Sequence, residues 1–212
     1  MKTRRIVTWI GLIGLAVLIS ACSQIGQSEV SEIVEIPAVG DIVTERYDLA
    51  GFTEVEIADF LEAEVTQGED FKVLVEAERG LFSYLEIDIR GDRLYVGLKS
   101  GITYNIEESL QRVEVTLPAL TLARISNHSE LRLDGFETED DLQLEVIDFS
   151  SLQGEVEAGN LQVEISNHSS LNLTGSASQV MGEVTEFSDA DLTGLGAAEV
   201  NIDTDTHSTL SQ

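Results

Sequence analysis

The chain has 212 residues, 42% of them hydrophobic and 24% charged, with two prolines and a single cysteine. That is globular composition at a length suited to one β-rich domain, or at most one and a half average ones. A lone cysteine excludes an internal disulfide. Twelve basic residues stand against 39 acidic ones, a net charge of −27, and no Lys or Arg occurs from Leu133 to Gln212. A phosphate-binding surface needs the opposite sign, so nucleic acid and anionic membrane surfaces are poor partner candidates.

Lys2, Arg4 and Arg5 give the N-terminus a basic start, and Ile6 to Ile19 is apolar apart from Thr8 and two glycines. As a helix this run spans about 21 Å, short of the ~30 Å hydrocarbon core. Residues 1–22 therefore read as a secretory signal, not a spanning helix. The signal ends Ile19-Ser20-Ala21-Cys22, which resembles a bacterial lipobox; that resemblance implies an acylated Cys22 as the mature N-terminus. An ordinary cleaved signal with a coincidental cysteine is the alternative. Residues 23–43 read as a flexible acidic tether, with an edge strand near Ile33 to Ile36.

Further along, Glu54 to Ile57, Phe71 to Val75, Leu85 to Ile89, Arg93 to Leu98 and Arg112 to Leu117 alternate as strands do, with Gly51, Gly68, Gly80, Gly91 and Gly101 between them. The second half repeats. Segments around His128, Phe149, His168, Phe187 and His207 align at spacings of 21, 19, 19 and 20, and each of these residues is followed by serine. A short unit made only of strands cannot bury its own apolar face, and stacking units in parallel solves that. The expectation is an all-β, single-stranded parallel β-solenoid (β-helix-like) over residues 44–212, with rungs of about 20 residues and right-handed crossovers.

Arg46 to Phe52 followed by Val55 to Ile57, then Val65 to Gly68 and Phe71 to Val75, resembles the opening of the putative auto-transporter adhesin head GIN domain family. Leu117-Pro118-Ala119-Leu120, followed by Ile125 to Ser129 and Ile165 to Ser169, resembles that family's Leu-Pro-x-Leu step and Ile-Ser rungs. His128, Phe149, His168 and Phe187 are bulkier than its small Gly-Ser-Gly corners. The resemblance implies a β-solenoid envelope protein, with no established catalytic or binding residues to carry over.

The three histidines invite a metal reading, but two-rung separations of about 9.5 Å cannot share an ion that needs ring nitrogens within ~2.1 Å. His128, Phe149, His168, Phe187 and His207 are therefore expected to form a stacked ladder, structural or partner-facing, with no metal. Strict alternation places it outside, whereas a corner at Asn127 could turn it inward. Adjacent His–Ser pairs point to opposite sides of a strand, which excludes a nucleophilic triad. Glu145, Glu164, Glu183 and Asp203 share one outward position below Arg124; they read as a solvated acidic face, with calcium as the alternative.

Taken together, these features predict a non-enzymatic, lipid-anchored protein of the bacterial cell envelope, facing periplasm or exterior. It would act in adhesion, interaction or surface structure toward an unknown envelope protein or polysaccharide, and would need no cofactor. The alternatives are a calcium-dependent binding module and, behind it, a carbohydrate-active β-helix enzyme using two or three carboxylates.

Overall fold

The computed structural model describes residues 33–36, 40–106 and 111–212. The expected signal segment, Cys22 and the first part of the expected tether lie outside them.

The described strands are, in chain order, β1 (Ile33–Ile36), β2 (Ile42–Tyr47), β3 (Glu54–Ala58), β4 (Glu62–Gln67), β5 (Lys72–Glu78), β6 (Leu85–Arg90), β7 (Arg93–Leu98) and β8 (Thr103–Ile106). There follow β9 (Gln111–Leu117), β10 (Leu122–Ser126), β11 (Glu130–Glu137), β12 (Leu142–Val146), β13 (Ser151–Ile165), β14 (Ser170–Val184), β15 (Asp189–Thr204) and β16 (Thr209–Ser211). A 3-10 turn at Leu81–Ser83 is the only helical element among the described residues. β1 and β8 form a separate parallel pair. The other fourteen strands make one sheet, eleven of them on a single path running β2-β5-β9-β4-β11-β13-β12-β10-β3-β7-β6.

The expected single-stranded parallel β-solenoid is overturned by this topology. The sheet is mixed and curls into a half-barrel. β2 pairs antiparallel with β5, β5 antiparallel with β9, and β6 antiparallel with β7. For β6 and β7 the cause is the turn between them. β6 returns into β7 through Gly91-Asp92, and Gly91 holds φ at 69°, which a two-residue hairpin of this kind requires. A tight return makes neighbours antiparallel, whereas parallel neighbours need a long crossover. Where the recurrence of about twenty residues operates, β12 to β16 pair in parallel and like positions align.

That alignment builds the core. Ile57, Ile125, Val146, Ile165 and Val184 follow one another in register and are all fully buried. On the opposing wall, Ala63, Leu131, Leu152, Leu171 and Ala190 do the same. Each buried Leu, Ile or Val stabilises by about 1.5–3 kcal/mol, so the two columns hold the walls face to face. β13, β14 and β15 are long enough to belong to both walls, and closely packed glycines let them cross. A Cβ at Gly159, where β13 passes from one wall to the other, would run into the Glu139 carbonyl oxygen.

Candidate functional site: an aromatic–imidazole ridge and a polar groove

Between the two walls the chain turns at corners made of two consecutive residues with positive φ. Asn127-His128, Asp148-Phe149, Asn167-His168 and Glu186-Phe187 all hold φ between 56° and 63°. Asn, Asp and His tolerate that region, but Phe149, Phe187 and Glu186 adopt it at a cost of about 1–3 kcal/mol each. Stacking offsets it. Ring centroids from His128 to Phe149, His168, Phe187 and His207 are 4.9, 4.8, 5.2 and 4.7 Å apart. The first three pairs lie within 12° of parallel, and each such contact is worth about 0.5–1.5 kcal/mol. The last pair tilts by 34°. His207 lacks the positive-φ corner of the others, and its Nδ1 lies 3.0 Å from the Thr206 hydroxyl.

The expected ladder has a sixth member that sequence reading missed. Phe60 stacks on His128 at 5.1 Å, with Asp59 and Phe60 at φ 67° and 66°. The signal was present: Asp59-Phe60 repeats the order of Asp148-Phe149. The antiparallel strands inserted after β4 stretch its separation from His128 to 68 residues, which hides the period. All six rings are solvent-exposed.

Behind the ridge, the serines turn the other way. Ser129, Ser150, Ser169 and Ser188 are at most 2% exposed. Each accepts a backbone N–H from the preceding rung, from Leu61, Ser129, Ser150 and Ser169 respectively, at 3.1–3.3 Å. The ladder continues to the Ser208 hydroxyl, which accepts from Ser188. Asn side chains link corners as well: the Asn127 amide donates to Asp59 at 2.9 Å and the Asn167 amide to Asp148 at 2.6 Å. Asp205 takes over at the last corner, accepting the Glu186 N–H at 2.7 Å and the His207 N–H at 3.0 Å. These bonds, with Glu186 the foremost and the Ser208 hydroxyl next, pull its carboxyl down to about 2.

Glu145, Glu164, Glu183 and Asp203 stand in consecutive register after Arg124. Glu145 is already held, accepting from Arg124 at 2.6 Å and from the Gln143 amide at 2.7 Å. Among the described residues, no group of three or more His, Cys, Asp or Glu is arranged to hold a metal ion.

A second feature lies on the outer face of the other wall. Two open depressions of about 310 and 560 Å³ share Glu130, Ser151 and Gln153 and so form one groove. Its sides are two rows of outward residues. One runs in register from Arg112 through Ser151 and Ser170 to Thr209; the other runs from Glu64 through Gln153 and Asn172 to Ser211. None of the side chains of Ser151, Ser170, Gln153 and Asn172 makes a hydrogen bond among the described residues, unlike the corner serines and asparagines. Asp191, in the second row, accepts from the hydroxyl and N–H of Thr193, which lowers its pKa.

A family model described as putative auto-transporter adhesin, head GIN domain, matches residues 51–211. The chain belongs to this family. Among solved structures, it is similar to a putative lipid binding protein from Parabacteroides distasonis, with 11% identity and a TM-score of 0.64 over 82% of this chain and 81% of that one. A putative adhesin from Parabacteroides merdae shares 16% identity with a TM-score of 0.57, covering 85% and 83% of the two chains. A putative adhesin from Bacteroides fragilis shares 10% identity with a TM-score of 0.59, covering 84% and 99%. At such identities the likeness concerns the fold. No curated protein matches the chain.

Proposed function

We propose that this GIN-domain chain is a non-enzymatic adhesion or interaction module of the bacterial envelope, tethered by a lipid on Cys22. The observation that carries the reading is the ridge. Phe60, Phe149 and Phe187 remain 51%, 51% and 56% exposed within one unbroken row of rings. Contiguous exposed apolar groups of this kind mark interaction surfaces. The high negative charge keeps the module soluble and repels other anionic surfaces. A non-enzymatic role is favoured because Ser129 and Ser169, beside two of the histidines, are buried and accept backbone N–H bonds while the imidazoles face outward, so neither serine hydroxyl meets a base. The Thr206 hydroxyl, 3.0 Å from His207 Nδ1, lies at the exposed end of the ridge.

The test uses cells producing the full chain. Wild-type protein should fractionate with membranes and Cys22→Ser should not. Cell retention on a bacterial or host surface should rise with production of the chain and fall for Phe149→Ser with Phe187→Ser, provided that thermal melts show the variant folded. Equal retention with and without the chain would overturn the adhesion reading.

A further inference from the structure

We infer that the polar groove on the outer wall is a binding site for a linear, uncharged polysaccharide. This rests on the reading of the chain as an adhesion module and gives it a second contact surface, separate from the ridge.

The ridge is poorly built for sugars. Sugar rings bind aromatic side chains through the flat face, and every interior ring of the ridge has both faces covered by neighbours 4.7–5.2 Å away. Only edges are left. The groove offers what the ridge lacks. It crosses the seven strands β9, β4, β11, β13, β14, β15 and β16, about 29 Å at the strand spacing. A chain lying along it meets a fresh polar pair at each strand, a repeat close to the advance of one sugar unit. Ser151, Ser170 and Thr209 line one side, and Gln153, Asn172 and Ser211 the other. These hydroxyls and amides both donate and accept, as sugar hydroxyls do, and among the described residues none of them is used for a hydrogen bond within the protein.

Charge selects within this class. The groove has two cations, Arg112 and Arg132, both at its β9–β11 end, and they are outnumbered by Glu62, Glu64, Glu130, Asp189 and Asp191. These carboxylates accept hydrogen bonds from neutral hydroxyls and repel uronate or sulfate groups.

Native affinity electrophoresis of the detergent-solubilised full chain provides the test, in gels cast with hydroxyethyl cellulose, mannan or dextran, and with polygalacturonate as the anionic control. At least one neutral polymer should retard the protein and polygalacturonate should not. Gln153→Ala with Asn172→Ala, both exposed positions, should weaken that retardation about tenfold, the loss expected for two hydrogen bonds. Phe149→Ser with Phe187→Ser should leave it unchanged. The assignment is overturned if no neutral polymer retards the chain, if the groove variant is retarded like wild type, or if only the ridge variant loses retardation. Cell retention persisting under any of these results leaves the adhesion reading standing without this ligand.

Discussion

Ser129 donates its backbone N–H to the hydroxyl of Ser150, one rung further on, at 3.2 Å, and both residues are almost wholly buried. The bond replaces a ladder contact that the corner geometry would otherwise leave open, and it recurs at each corner. Ser150→Ala leaves a buried donor unpaired, so it should lower unfolding free energy by about 1–3 kcal/mol. Thr209→Ala, on the exposed face, should stay within ~0.5 kcal/mol. Urea titrations of both variants check this, and equal midpoints would contradict the role given to the serine hydroxyls.

At the corner itself, backbone strain and ring stacking oppose each other. Phe149→Ala removes two stacking partners while keeping a β-carbon at φ 62°. Phe149→Gly removes the same contacts but releases the strain, a relief of about 1 kcal/mol. The glycine variant should therefore melt above the alanine variant; the reverse order would mean that the corner is unstrained.

Arg124 lies between Glu56 and Glu145, 4.0 and 2.6 Å away. Arg124→Met leaves the part-buried Glu145 facing Glu164 without a cation and should cost about 1–2 kcal/mol at low salt, less at high salt. Adding Glu145→Gln should recover part of the loss. A double-mutant cycle with no coupling would assign the ion pair no energetic role.

Acid should act on Asp205. Its folded pKa lies below the unfolded value, so its stabilising contribution is present above about pH 4 and is lost as pH falls toward about 2. Asp205→Asn should lower the urea midpoint near neutrality and flatten its fall across that window, the two proteins converging toward pH 2. A slope identical to wild type would remove Asp205 as a contributor.

Much of the second half was legible because identical side chains recur at one position, and parallel register turns such recurrence into columns. His128, Phe149 and His168 stack for that reason. The overall topology was not legible, since stacking was extended over a first half that carries no period. There Gly91 returns the chain at once and makes β6 and β7 antiparallel, while β5 pairs antiparallel with β2 and β9, strands that do not adjoin it in the chain. Phe60 was lost for the same reason, its partner His128 being adjacent in space but separated in sequence by the inserted strands. The groove was hidden differently: Ser151, Gln153, Ser170 and Asn172 look like ordinary solvated strand residues until register sets them in two facing rows.

The corners from Asp148 to Phe187 are interchangeable parts. Each meets its neighbours through the same ring contact, the same serine bond and the same backbone bond, 19 residues apart. A copy of one such unit inserted at a corner would find matching surfaces on both sides, so gene duplication could lengthen the array, and deletion shorten it, without redesign of either end.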